Sequence, residues 1–101
     1  MLHVTPKATR HLMQVRRKRG ADPRAGARFV SRDGRVGLTF ALAPATGDRV
    51  VDAREIRVYV ASEIADALDH AIIDARDDDD GKTALFMRRR AAASPARGAE
   101  R

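Results

Sequence analysis

The chain has 101 residues, no cysteine and a formal net charge of +6. This length is enough for one domain with a single hydrophobic core. Without cysteine the chain can form no disulfide, no thiolate metal site and no nucleophilic thiol, so functions that depend on these groups are excluded. No segment approaches the ~20 apolar residues of a membrane span, and no apolar signal segment follows Met1, so we expect a cytoplasmic protein that binds no membrane.

The charge is unevenly distributed along the chain. Residues 1–32 carry nine Lys or Arg against one Asp, residues 33–80 carry five Arg against twelve Asp or Glu, and residues 81–101 carry six Lys or Arg against one Glu. Two basic ends around an acidic middle can mark a surface for nucleic acid or for an acidic protein. A domain whose halves neutralise each other has the same pattern, and with only 4% aromatic residues this is the simpler interpretation.

The first predicted element is a helix that follows Thr5. Thr5 is a suitable N-cap, and Pro6 stands at the first helical position, where a missing N–H costs nothing. Gly20 suits the residue just after the helix, and four cations occupy the last turn, where they complement the helix dipole. One apolar stripe recurs at helical spacing and is formed by Ala8, Leu12 and Val15.

From residue 27 the apolar period changes from about four to two. Residues 27–32 therefore predict a strand, Asp33 and Gly34 a tight turn, and residues 36–43 a second strand of the same hairpin. One face of that second strand is apolar and consists of Leu38, Phe40 and Leu42.

The remaining elements are two short strands, a helix and a second hairpin. The strands are predicted at residues 49–51 and 56–60, and Ser62 is predicted to cap the helix. The buried side of this helix is predicted to contain Ile64, Leu68 and Ala71. Residues 72–76 and 83–87 then form the second hairpin, around an acidic turn.

This order of elements predicts an α+β domain that is mostly antiparallel sheet, with an N-terminal helix and a second short helix. The domain is expected to span residues 1–90. Residues 91–101 are rich in Ala, Arg, Ser, Pro and Gly and have no apolar period, so we predict a disordered tail.

Six short phrases carry a resemblance to a known family. They are residues 4–8 (VTPKA), 28–30 (RFV), 34–42 (GRVGLTFAL), 48–50 (DRV), 56–60 (IRVYV) and 68–75 (LDHAIIDA). In this order, and over about residues 2–88, the sequence resembles the HesB/IscA-like family, the A-type carriers of iron–sulfur cluster assembly. The resemblance implies the HesB-like fold and a relation to iron–sulfur cluster biogenesis.

The family's cluster ligands, however, have no counterpart in this chain. The resemblance places Arg35 where the family has its first cysteine, and after Phe86 and Met87 the family's Cys-Gly-Cys segment is absent. Because thiolates are the usual ligands of such clusters, no family ligand can be carried over. We therefore expect no cofactor and no metal site, and a non-catalytic binding or accessory domain related to iron–sulfur cluster assembly proteins.

Other patterns that suggest chemistry are weak. The acidic run at residues 77–80 precedes Gly81, but the first and twelfth positions of a calcium loop would be Arg76 and Met87, which are not ligands. A solvated hairpin turn is the simpler interpretation, and weak divalent-ion binding is the alternative.

The three histidines also lack the spacing of a metal site. None has a second histidine four residues away on a helix face, so we interpret them as surface or packing residues, with an oxygen and nitrogen iron site as the alternative. They are His3, His11 and His70. No glycine-rich phosphate loop or convincing nucleophile pattern is present, so we do not expect an enzyme and assign no catalytic residue.

Two basic runs are the candidate partner-binding residues. We define the first basic run as Arg16, Arg17, Lys18 and Arg19. We define the second basic run as Arg88, Arg89 and Arg90.

We expect these runs to bind a protein partner. The alternative function is that of a small basic module that binds nucleic acid or an acidic protein. Phosphate contacts alone would be sequence-blind and sensitive to salt. Solvated side chains at a helix end and in a basic tail are the simpler interpretation.

Overall fold

The computed structural model describes residues 2–89, and both Arg90 and the predicted tail at residues 91–101 lie outside them. The described part contains two helices and seven strands. In chain order these are β1 (His3–Val4), α1 (Pro6–Lys18), β2 (Gly26–Arg32), β3 (Arg35–Ala41), β4 (Arg49–Asp52), β5 (Arg57–Val60), α2 (Ser62–Leu68), β6 (Ala71–Asp77) and β7 (Thr83–Arg89).

The strands form two sheets. One has the order β3-β2-β5-β4, in which only β2 and β5 are parallel. The other has the order β1-β6-β7, in which β1 and β6 are parallel and β6 and β7 antiparallel. The prediction of an α+β domain with mostly antiparallel strands is therefore confirmed.

One hydrophobic core joins both sheets to both helices. Its most completely buried large side chains are Leu12 of α1, Val58 and Val60 of β5, and Ile73 of β6. Helix α1 packs chiefly on β6 and also contacts β7. The predicted stripe on α1 is largely confirmed, because Ala8 and Leu12 are buried whereas Val15 is only partly so.

Both ends of α1 follow the sequence signals. The Thr5 hydroxyl accepts a hydrogen bond from the Ala8 N–H (3.1 Å) and donates one to Asp74 Oδ1 (2.7 Å). The Thr5 N–H donates to the Ile73 carbonyl (3.0 Å), so the helix start is attached to β6. At the other end Gly20 has φ +68°, a left-handed conformation that glycine adopts without steric cost.

The first hairpin also agrees with the sequence. Arg32 and Arg35 pair across the turn, and Asp33 and Gly34 between them have φ values of 52° and 77°. Two consecutive left-handed residues define the type of two-residue turn that matches the twist of a hairpin. Strand β3 ends at Ala41, so Leu42 lies beyond it and is 60% exposed instead of completing the predicted apolar face.

The start of α2 differs from the prediction. Ala61, and not Ser62, is at the cap position, and no side chain makes a capping hydrogen bond there. Ser62 is the first helical residue. The buried residues of α2 are Ala65 and Leu68, because this short helix ends at Leu68 and Ala71 already belongs to β6.

Strand β1 was not predicted. It is only two residues long and pairs with β6 in the register His3 with Ile72 and Val4 with Ile73. Two residues are too few for an alternating pattern to be visible, and the pairing is with a strand distant in sequence. Among residues 2–89, no helix is long and apolar enough to cross a membrane.

Candidate functional site

The position that the resemblance assigns to a cluster ligand is occupied by an exposed arginine. Arg35 begins β3 directly after the hairpin turn, beside a shallow hollow that also involves Arg32, Asp33 and Val36. Guanidinium nitrogens are donors and remain protonated, so they have no lone pair for iron. Within residues 2–89 no group of three or more His, Asp or Glu residues could hold a metal ion either. The residues present do not fit an iron–sulfur cluster.

The histidines do not come together. His3 lies on β1 and His11 on α1, whereas His70 follows α2 with a side chain that is 79% exposed. Burial, together with the charge of Lys18, lowers the pKa of His11, and Asp77 opposes this only in part. His11 is therefore mainly neutral near pH 7, and its Nδ1 has no hydrogen-bond partner in the described part of the chain.

The acidic run forms a hairpin turn held by its own hydrogen bonds. Asp78 Oδ1 accepts hydrogen bonds from the N–H groups of Asp80 and Lys82, both at 2.9 Å. Asp77 is paired with Lys7 (3.3 Å) and accepts a hydrogen bond from the Thr83 hydroxyl (2.6 Å). These carboxylates satisfy turn geometry and neighbouring groups, in agreement with the simpler interpretation.

The first basic run contains residues with two different roles. Arg16 is partly buried and donates from Nη1 to the Ala25 carbonyl (2.9 Å). Arg19 donates from Nη1 to the Leu38 carbonyl (2.9 Å), and its guanidinium lies 5.7 Å from the centre of the Phe40 ring. Arg19 therefore attaches the end of α1 to β3, and Arg16 attaches it to the residue just before β2.

The other two members of this run are free to meet a partner. Arg17 and Lys18 are exposed, and within residues 2–89 neither makes an ion pair or a side-chain hydrogen bond. From the sequence alone the four residues of this run could not be told apart. In the structure, Arg17 and Lys18 can bind a partner without breaking a described hydrogen bond or ion pair.

The described part of the second basic run, Arg88 and Arg89, lies at the end of β7 nearest the start of α1. Arg88 Nη2 is 3.5 Å from Asp74 Oδ2, and Asp74 also accepts the hydrogen bond from Thr5 at the start of α1. Arg89 is exposed and pairs through its backbone with Ala71. Because the 13 residues of α1 rise about 1.5 Å each, its two ends lie about 18 Å apart. The structure thus places Arg88 and the first basic run at opposite ends of this helix.

A cleft that the sequence analysis missed gathers four arginines from three segments. It has a volume of about 360 Å³, and we call it the arginine cleft. Its lining residues are Arg16, Pro23, Arg24, Ala25, Leu42, Asp52, Arg54, Glu55, Ile56, Arg57 and Tyr59. Each segment contributes only one or two of the arginines, and Arg54 and Arg57 lie in the acidic middle of the sequence. No run of charge could therefore have indicated it.

The arginine side chains of the arginine cleft differ in whether they already have hydrogen-bond or ion-pair partners. Arg24 forms two hydrogen bonds with Asp22 (3.0 and 3.1 Å), which lower the pKa of that carboxyl to about 2. Within residues 2–89 the guanidinium groups of Arg54 and Arg57 have no partner. Arg54 has φ 71°, a left-handed conformation that is unusual for a residue with a side chain.

The architecture matches solved structures of other proteins. A crystal structure of Escherichia coli SufA, described as involved in biosynthesis of iron–sulfur clusters, has a TM-score of 0.71 at 18% sequence identity, covering 87% of this chain and 84% of that one. A crystal structure of IscA with a [2Fe–2S] cluster has a TM-score of 0.60 at 21% identity, covering 88% and 82%.

Neither a protein-family model nor a curated protein sequence matches the chain. The structural matches confirm the HesB/IscA-like fold that the sequence resemblance predicted. This chain builds that fold without a cysteine.

Proposed function

We propose that this chain is a non-catalytic binding domain on a HesB/IscA-like scaffold, accessory to iron–sulfur cluster assembly in the cytoplasm and unable to carry a cluster itself. The observation that carries the proposal is the absence of cysteine from the whole sequence, combined with an exposed Arg35 at the start of β3. The similarity in fold to SufA and IscA supports the relation to cluster assembly. A protein partner is the binding target that we favour.

Anaerobic reconstitution with iron and sulfide tests the part of the proposal that concerns the cluster. The purified protein is expected to stay colourless, with no charge-transfer absorption, because no thiolate is present to ligate iron. IscA, which has been crystallised with a [2Fe–2S] cluster, is the positive control under the same conditions. A brown protein with stoichiometric iron and sulfide would overturn the proposal.

The exposed part of the first basic run favours a second candidate function, namely binding of nucleic acid. Arg17 and Lys18 could contact phosphates. Base stacking has little support, because Phe29 and Tyr59 are buried. The rings of Phe40 and Phe86 are partly buried, and each has an arginine guanidinium over it. We therefore expect only weak, sequence-blind association.

A fluorescence anisotropy titration with duplex DNA distinguishes the two functions. We expect micromolar or weaker binding at low salt and none near 0.15 M, where charges are screened over about 8 Å. Charge reversal of Arg17 and Lys18 to Glu should abolish the residual binding, whereas reversal of Arg10, exposed elsewhere on α1, should reduce it less. Sub-micromolar affinity at 0.15 M salt that is lost in the double variant would favour the nucleic-acid function.

A further inference from the structure

We propose that the arginine cleft is a binding site for a small molecule that bears a phosphate or pyrophosphate group. This site is separate from the proposed function, and of the two basic runs it includes only Arg16. It uses neither the exposed pair Arg17 and Lys18 nor the second basic run.

Unused guanidinium groups are the first argument. Arg54 and Arg57 have no carboxylate or carbonyl partner within residues 2–89, although Asp52 and Glu55 also line the cleft. The carboxylate of Asp52 is directed to the Arg54 backbone, from whose N–H it accepts a hydrogen bond (3.2 Å). Arg16 uses one nitrogen on the Ala25 carbonyl and keeps its other donors. Several N–H donors at one place are thus available to an anion.

The backbone of the cleft is the second argument. Arg54 adopts a left-handed conformation in the turn between β4 and β5, where glycine would fit with less strain. Strained residues with side chains concentrate at binding and catalytic sites, where the surrounding structure holds them in place. This turn contributes Arg54 to the cleft that Arg16 and Arg24 also line.

Shape and chemistry select the ligand class. Guanidinium groups bind phosphate oxygens in bidentate fashion, and a phosphate monoester offers three acceptor oxygens with a charge near −2. A volume of about 360 Å³ falls in the range of small-molecule sites and leaves room for a pyrophosphate group. The exposed lining of the cleft is mainly polar, which suits the phosphate group, and the buried Tyr59 and Ile56 are among its lining residues.

Calorimetric titration of the full chain with inorganic pyrophosphate tests this inference. We expect saturable binding of one equivalent, weakened at least about tenfold in the double variant Arg54→Asn and Arg57→Gln, because the loss of even one charge-assisted hydrogen bond has about that effect. Asn tolerates the left-handed conformation, and the Arg57 side chain makes no hydrogen bond or ion pair within residues 2–89, so this variant should fold. Equal melting temperatures check that point.

The matched control is the double variant Arg10→Gln and Lys82→Gln, which removes two exposed charges outside the cleft. This control variant should bind pyrophosphate with the affinity of the wild type. In the wild type, pyrophosphate should also shift the NMR signals of Tyr59 and Ile56. Equal weakening in both double variants would show diffuse charge attraction and overturn the proposal. The absence of saturation up to about 1 mM would overturn it as well, as would binding of an oligonucleotide but not of pyrophosphate.

Discussion

Replacing Asp48 with alanine is expected to lower the free energy of unfolding by about 2 kcal/mol, as expected for removing the charged acceptor of several partly buried hydrogen bonds. The Asp48 side chain is 1% exposed and accepts two hydrogen bonds from Arg28, at 2.8 and 2.9 Å. It also accepts one from the Ala45 N–H at 2.8 Å. The substitution therefore leaves a partly buried guanidinium and a backbone N–H without their acceptor.

Asp66 provides the matched control for Asp48. It is fully exposed and lies 3.7 Å from Arg49, so Asp66→Ala should change stability by less than about 0.5 kcal/mol. Urea denaturation at neutral pH measures both variants. Equal stabilities for Asp48→Ala and Asp66→Ala would contradict the role assigned to the buried pair.

The pH dependence of stability provides an independent check on this pair. Hydrogen bonding from Arg28 is the main cause of a lowered pKa for Asp48 in the folded protein. A lowered folded pKa means that the stabilisation is complete above the unfolded value near 3.9 and is lost as pH falls through the folded one. The wild type should therefore lose stability below about pH 4, and Asp48→Asn should lose less over that range. Asp74 and Asp77 have lowered pKa values too and contribute in the same direction.

The sequence predicted correctly those features whose conformation depends on neighbouring residues, namely the ends of α1 and the turn of the first hairpin. Thr5 with Pro6, and Gly20, marked the ends of α1, because capping and left-handed conformations depend on neighbouring residues. Asp33 with Gly34 marked the first hairpin for the same reason. The resemblance then indicated the HesB/IscA-like fold, and the matches to SufA and IscA confirm that fold.

Features that depend on distant contacts were not predictable in this way. The parallel pairing of β2 with β5 brings residues 27–29 beside residues 58–60. As a result, the turn between β4 and β5 lies near Arg16 of α1. The arginine cleft exists only because of that arrangement. The same holds for the roles of Arg16 and Arg19, whose carbonyl partners lie 9 and 19 residues away.

The pairing of β2 with β5 also explains why residue 26 must be glycine. A Cβ atom at Gly26 would lie 2.8 Å from the Arg57 carbonyl oxygen and 2.7 Å from Cε2 of the Tyr59 ring. The first of these atoms belongs to the backbone of the neighbouring strand and cannot move without disturbing the sheet. Gly26→Ala is therefore expected to destabilise the fold by about 2–3 kcal/mol, as overpacking of a core does.

Gly37→Ala is the matched control for this prediction. A Cβ there would meet Val30 Cγ2 at 3.6 Å, an ordinary contact, so the change in stability should stay within about 0.5 kcal/mol. Thermal and urea denaturation of the two variants measure the difference in stability, and equal stabilities would contradict the close approach at Gly26.

The same pair of variants also tests the proposed site. Because Tyr59 lines the arginine cleft, Gly26→Ala should weaken pyrophosphate binding, whereas Gly37→Ala should leave it unchanged. Loss of binding in the first variant alone would connect the packing of β2 on β5 with the proposed site.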